Sequence, residues 1–405
     1  MAILSLGALL LLGYLFGYVA DKLGLPKILG YLFAGLILNP QINHIFVIDI
    51  SEISTPVINF CLAFITFEIG SSFSVKNLKQ TGSKYFKLAF YESFGAFLLV
   101  FIGIYLINTF FFTSYNFSLP MIVSFSLLLA SLAAPTDPSA TLAVIHNYRA
   151  KGPVTNAVLG AAAFDDIITL ILFSFSISIA RSLLGSGDLS ISHVSYTIVY
   201  KIVGAVLSGL ILGYIFNKMV SYFNVKGRKS LIVIFLGFLS LTFGLASYLK
   251  FDELFSTLTL GFVIRNFDKE ENTIVAITEQ ELEELFFLLF FAFNAMSFNF
   301  LSMKIQIAIL ILIFIILRGA GKYLGMLAGT SLLHMPNVVK KYAYGGLIPQ
   351  GGIVLGLALM VSNEPEFKSF SNLLIGIIMG TTIIHEFLGP IVSKTILKKA
   401  GEVNQ

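Results

Sequence analysis

The sequence predicts an all-α polytopic membrane protein of about 13 transmembrane helices, built as an inverted repeat with two crossing broken helices. Three observations predict it: the composition, the distribution of basic residues between loops, and a repeat at one fixed offset. Of the 405 residues 57% are hydrophobic and only 12% charged, more apolar surface than a water-soluble fold can hide. The lipid bilayer is therefore the first expected partner. The 26 Lys and Arg against 22 Asp and Glu are too even and too scattered for a nucleic-acid partner. A single cysteine, Cys61, excludes an intramolecular disulfide.

Apolar runs long enough to cross a bilayer begin near residues 2, 27, 53, 85, 119, 153, 194, 230, 253, 280, 304, 341 and 368. The runs at 27–39 and 253–265 are short. The chain starts Met-Ala-Ile-Leu, with no basic residues ahead of the first run, so that run reads as a membrane span and not as a cleaved signal. Loop charge then orients the spans, because short cytoplasmic loops collect Lys and Arg. One side gathers Lys22, Lys27, Lys76, Lys79, Lys84, Arg149, Lys151, Lys226, Arg228, Lys229, Arg265, Lys269, Lys340, Lys341, Lys394, Lys398 and Lys399. The other holds only Arg181, Lys250, Lys304 and Lys368. The N-terminus is expected outside and the C-terminus cytoplasmic, in the inner (plasma) membrane.

A shift of 226 positions aligns Leu15 with Leu241, Ala20 with Ala246, Leu32 with Leu258 and Gly35 with Gly261. It continues through Leu62 and Leu288, Phe64 and Phe290, and Phe67 and Phe293. An odd number of spans separates the copies, so they enter the membrane from opposite faces. Each half also contains one interrupted span: Pro135-Thr136-Asp137-Pro138 in the first, and Gly345-Gly346-Leu347-Ile348-Pro349-Gln350-Gly351-Gly352 in the second. Prolines remove amide donors and glycine pairs weaken helix. The backbone groups freed at that depth need a partner, water or an ion.

Ionisable residues inside spans are costly and mark function by default. The sixth span carries Asp165 and Asp166, about 100° apart on a helix and able to face one polar centre. Burial favours a protonated carboxyl and a nearby cation favours the ionised one, so such a pair suits exchange of a proton for a metal ion. The eleventh span carries Arg318 and Lys322 on one helical face. Lys322 is expected to carry a proton and pair with an aspartate. Arg318 is expected to hold a permanent ion pair or offset helix-end dipoles. Glu68 is expected to line the cation route, and Glu92 to pair with Arg318 across the pseudo-symmetry. Glu386 is a further membrane carboxylate without a stated role, and His385 reads as a satisfied core histidine.

Through these motifs the chain resembles the monovalent cation/proton antiporter superfamily of bacterial Na+/H+ and K+/H+ exchangers. The likeness rests on Leu23-Gly24-Leu25-Pro26-Lys27 through Asn39-Pro40, on Thr136-Asp137-Pro138, on Pro349-Gln350-Gly351-Gly352, and on Asp165-Asp166, similar to the acidic pair of the electrogenic branch. The resemblance implies Asp166 as the main carrier of Na+ and proton. Asp165 partners Lys322, and Asp137 and Thr136 stand beside the ion. It also implies a homodimer in which scaffold helices, 1–84 and 230–303, hold a moving elevator core, 85–182 and 304–400, with residues 183–229 as a linker helix. Phe67-Glu68 and Arg318 resemble the electroneutral branch instead. No nucleotide-binding region follows Lys398, which leans toward Na+, or Li+, over K+. No cofactor is expected beyond the transported ions Na+ or K+ and H+.

An acidic run with Glu279, Glu281, Glu283 and Glu284 reads either as a solvated helix start or as a pH-sensing, cation-attracting funnel. An enzyme is not expected. An intramembrane aspartyl protease would need its aspartates on separate helices and a Gly-x-Gly-Asp run, and a buried lysine serves no hydrolytic role. A sodium-coupled organic-anion symporter of similar architecture is the nearer rival, although it has no need of Lys322 beside the acid pair.

Overall fold

The computed structural model describes residues 2–23, 27–40, 51–72, 75, 83–110, 117–137, 141–142, 144–145, 149–185, 191–223, 225, 227–267, 273–296, 305–362 and 364–403. Among them the first half runs α1 (Ala2–Lys22), α2 (Lys27–Ile37), α3 (Ser51–Ser71), α4 (Ser83–Phe110), α5 (Leu119–Ser131) and α6 (Pro153–Gly185), with α7 (Ile191–Tyr222) following. The second half runs α8 (Arg228–Tyr248), α9 (Glu253–Phe267), α10 (Thr273–Glu281), α11 (Glu283–Met296), α12 (Ile305–Leu332), α13 (Asn337–Tyr342), a 3-10 turn (Ala343–Leu347), α14 (Ile353–Ser362) and α15 (Ser371–Lys399). Seven of these helices are long and apolar enough to cross a membrane, and four shorter apolar ones accompany them.

Lipid can accept no backbone hydrogen bonds, so an all-helical answer is what the composition requires. Leu11, Leu15, Leu207, Ile211, Val233, Leu312 and Ile316 are exposed, as apolar residues are on a lipid-facing surface. Polar side chains such as Thr66, Ser93, Thr136 and Asp165 are fully buried.

The repeat is visible in the packing. Ala2 and Arg228 open α1 and α8, and Lys27 and Glu253 open α2 and α9, each pair 226 positions apart. α2 packs on α11 while its counterpart α9 packs on α3. At Gly35 an added Cβ would sit 2.2 Å from the Ala292 carbonyl of α11, and at Gly261 an added Cβ would sit 2.2 Å from the Phe67 carbonyl of α3. Helices α4 and α12 cross at the centre by a reciprocal approach. A Cβ on Gly95 would lie 2.7 Å from the Gly321 carbonyl, and one on Gly321 would lie 2.8 Å from the Gly95 carbonyl. Small residues let helix backbones meet where no hydrophobic drive separates protein from lipid.

Both predicted interruptions are present. α5 ends at Ser131 and the 3-10 turn ends at Leu347, each followed by non-helical chain. The two pieces cross as an isolated antiparallel bridge between Thr136 and Gln350. Asp137 N donates to the Pro349 carbonyl at 3.1 Å and Gly351 N to the Pro135 carbonyl at 3.5 Å. Pro138, also expected in this crossing, lies outside the described residues.

Candidate ion site at the helix crossing

The crossing leaves carbonyls without helical partners, and Arg318 takes them. Its Nε donates to the Ala133 carbonyl at 3.0 Å and its Nη1 to Ile348 at 2.6 Å. Its Nη2 donates to Pro135 at 2.8 Å and to Pro349 at 3.3 Å. One guanidinium thus neutralises the carbonyl ends of the first half-helices from both repeats, the task a rigid multi-donor cation does best. The expected Glu92–Arg318 pair is therefore replaced. The donors of Arg318 go to backbone, and Glu92 is taken by another cation.

That cation is Lys322, one turn further along α12. Its Nζ donates to Glu92 Oε1 in a short hydrogen bond, to the Ala134 carbonyl at 2.8 Å and to Thr136 Oγ1 at 2.9 Å. Asp165 Oδ2 stands 3.8 Å from the same ammonium. Thr136 accepts from the lysine and donates to Asp165 Oδ2 at 2.5 Å. The Ser93 hydroxyl lies 3.1 Å from Asp165 Oδ1 and 3.3 Å from Glu92 Oε2. Glu92, Asp165 and Lys322 are all fully buried. They form one hydrogen-bonded group, two carboxyl groups around one ammonium, held between α4, α6, α12 and the crossing.

Asp166 points elsewhere, as its angular offset from Asp165 requires. Its Oδ1 is buried and has no hydrogen-bond partner among the described residues. It lies within electrostatic reach of Asp165, Asp137 and Lys322. A buried carboxylate oxygen without a donor is the kind of group that a proton or a cation must satisfy.

Gln350 ties the crossing to its surroundings, donating from Nε2 to the Leu132 carbonyl at 3.2 Å and meeting His385 Nδ1 through Oε1 at 3.0 Å. Thr141 Oγ1 donates to the Gly346 carbonyl at 2.7 Å, a further link between the interrupted segments.

Thus the structure gathers Asp165, Asp166, Asp137, Thr136, Lys322, Arg318, Pro135, Pro349, Gln350 and Gly351 at one crossing. It does not bring Glu68 to them. Glu68 lies in α3 with Thr278, Glu279 and Glu283 as its polar neighbours. The acidic run is also partly paired: Glu284 binds Lys27 at 3.0 Å and Tyr31 at 3.3 Å, and Glu281 lies 3.5 Å from Arg228. Such half-exposed pairs contribute at most about 1 kcal/mol each.

Sequence reading singled out Glu92 but gave it Arg318 as partner, whereas its partner is Lys322, 230 residues away; one further residue, Glu402, escaped it. Glu402 closes the start of α6. Its carboxylate accepts from Val154 N at 2.7 Å, Thr155 N at 2.8 Å and Thr155 Oγ1 at 2.8 Å, anchoring the helix that bears both aspartates.

Known proteins share this architecture and sequence pattern. An antiporter from Methanocaldococcus jannaschii, the sodium proton antiporter MjNhaP1 solved at pH 8, superposes with a TM-score of 0.72 at 20% identity, over 98% of this chain and 99% of that one. The ammonium/H+ antiporter subunit AmhT of Alkalihalophilus pseudofirmus is 22% identical over 404 residues, 98% of this chain and 95% of its own. The Na+/H+ antiporter NhaP of Pseudomonas aeruginosa is 21% identical over 290 residues, 67% of this chain and 66% of its own. The family model for the transmembrane sodium/hydrogen exchanger matches residues 7–398, so the chain belongs to the sodium/hydrogen exchanger family and is a multi-pass cation/proton antiporter, not an enzyme.

Proposed function

We propose that this protein exchanges Na+, or Li+, for protons across the plasma membrane, with Asp166 as the residue that alternately holds the cation and a proton. The observation that carries the reading is the unpartnered, buried Oδ1 of Asp166 beside a neighbouring group in which Lys322 already serves Glu92 and Asp165. Asp165, held by Thr136 and Lys322, shapes the field at Asp166. Asp137 and Thr136 supply oxygens at the crossing. Arg318 keeps the broken segments rigid so that the site moves as a unit.

The motion is an elevator. The core of 85–182 and 304–400 slides against a scaffold of 1–84 and 230–303 that dimerises, with 183–229 linking the halves. The N-terminus is outside and the C-terminus cytoplasmic, as the loop charges demand. Glu68, with Glu279, Glu281, Glu283 and Glu284, lines the cytoplasmic approach and senses pH there. Exchange is electrogenic, more protons leaving the site than cations entering it.

K+/H+ exchange is the second reading, and the AmhT likeness over nearly the whole chain adds ammonium to the cations worth testing. One assay separates these. Protein in lipid vesicles with an internal pH dye is challenged with Na+, Li+, K+ or ammonium and no organic solute. Na+ and Li+ should drive proton movement, and Asp166→Asn should abolish it while leaving the protein folded. Half the wild-type turnover in that variant would sink the assignment. A requirement for an organic anion would favour the symporter reading.

A further inference from the structure

The shift of 226 positions that aligns Phe67 with Phe293 also makes Glu68 of α3 the counterpart of Asn294 of α11. Each of the two holds a side-chain oxygen, Glu68 Oε1 and Asn294 Oδ1, that is buried without a hydrogen-bond partner among the described residues. Asn294 is 2% exposed. The orientation of its amide is fixed, because Nδ2 donates to the Phe290 carbonyl at 2.5 Å and a flipped amide would set two acceptor oxygens against each other. Oδ1 is therefore the atom left over. A buried amide oxygen in that condition is completed by a water or by a cation, and carbonyl oxygens replace hydration water well around monovalent cations.

The two residues are equivalent in the repeat but differ in what packs beside them. Phe290 and Phe291, one turn before Asn294 and on the same helical face, fill the space that Cβ atoms on Gly356 and Gly352 would occupy. Those glycines lie at the start of α14, just past the crossing. Asn294 thus lies along the seam between α11 and the half-helix that leads away from the ion site. Around Glu68 the packing is different. Phe64, the counterpart of Phe290, stacks on Phe286 of α11 with ring centroids 4.2 Å apart, and α3 also lies against α10.

We propose that Asn294 is a transit ligand for the transported monovalent cation on the outer side of the membrane, as Glu68 is on the cytoplasmic side. This rests on the reading of Asp166 as the cation site and on the elevator motion, and deepens both. In the proposed orientation α3 ends at the cytoplasmic face near Glu68 and α11 ends at the outer face near Asn294, so the two oxygens stand on opposite sides of the crossing. An inverted repeat that alternates between two states exchanges the surroundings of its halves. When the core moves outward, α14 leaves Asn294, and Oδ1 takes the place of one water around a cation passing between Asp166 and the outside. No covalent bond changes and no proton moves at the amide. A carboxylate at the same place would attract the cation more strongly than the neutral amide does.

The test measures the KM for Na+ on each side of the membrane separately. Full-length protein is inserted into vesicles with its C-terminus uniformly facing the bath, and Na+ is supplied either in the bath or in the lumen while proton movement is followed. Asn294→Ala should raise the outer-side KM about fivefold, the effect of one lost contact, and leave the cytoplasmic-side KM as in wild type. Asn294→Asp should lower the outer-side KM. Glu68→Gln, the mirror variant, should raise the cytoplasmic-side KM alone. A merely structural role would reduce turnover or the unfolding temperature without favouring one side. An Asn294→Ala protein whose outer-side KM is unchanged, or whose two KM values rise equally, overturns the proposal. Should that variant fail to fold, Asn294→Asp decides, and an outer-side KM no lower than wild type overturns it. Exchange that survives Asp166→Asn sinks the cation-site reading and this proposal with it. Exchange abolished by Asp166→Asn but indifferent to side in the Asn294 variants sinks this proposal alone.

Discussion

Lys322 concentrates more of the site's electrostatics than any other residue. It bonds Glu92 and Thr136 and stands near Asp165, inside a span where an isolated charge is expensive. Removing one partner of a buried pair leaves the other uncompensated, at a cost of about 3–5 kcal/mol. Lys322→Gln should therefore lower the thermal unfolding temperature in detergent strongly. The double variant with Glu92→Gln should recover most of it, because both charges then disappear together. A single variant as stable as wild type would show that the ion pair contributes nothing. The recovered double variant also probes mechanism. If Lys322 keeps its charge through the cycle, cation-dependent proton exchange in that background retains its response to membrane potential. Loss of that response would restore the expectation that the lysine itself carries a proton.

At the scale of elements, the α4–α12 crossing sets the distances on which the site depends. A Cβ on Gly325 would meet the Tyr91 carbonyl at 2.3 Å and Glu92 Cα at 2.8 Å. Both obstacles are backbone, so the helices would have to part. Overpacking of this kind costs about 1–3 kcal/mol and would draw Glu92 away from Lys322. Gly325→Ala should lower both the unfolding temperature and the exchange rate. Gly319, on the same helix, has nothing within 4 Å of its added Cβ. Gly319→Ala should be neutral or slightly stabilising, because alanine suits a helix better by about 0.5–1 kcal/mol. Equal effects at the two positions would mean that the close approach is not what the glycines provide.

For the whole molecule, the proposed function makes antiport the result of one residue serving two ions. If proton and Na+ compete for Asp166, as proposed, lowering the pH raises the apparent KM for Na+, approaching about tenfold per pH unit once the site is mostly protonated. Raising the pH should lower that KM until the carboxylate is fully ionised, after which it levels off. The measurement is the initial rate of Na+-driven proton movement in vesicles at a series of matched pH values. A KM indifferent to pH would show that the two ions use separate groups. The reciprocal contacts of α2 with α11 and of α9 with α3 give the two halves equivalent packing.

Membrane residence, the near-sites of the helices and the location of the interruptions were legible in sequence because each is a local property: hydropathy over some twenty residues, or prolines and glycines inside an apolar run. The inverted repeat was legible through one offset, and the packing of Gly35 and Gly261 on opposite partner helices gives it physical form. Asp165, Asp166 and Lys322 were legible because a charge at membrane depth stands out whatever surrounds it. Pairing was not. Glu92 could as well have met Arg318, its symmetry equivalent, as Lys322 one turn on, and a rotation of about 40° between those positions on α12 decides it. Only the tertiary structure assigns Arg318 to four carbonyls and separates Glu68 from the aspartates. The physical reason is that sequence records which residues are costly to bury, whereas the partner that offsets each cost comes from a segment brought near by folding.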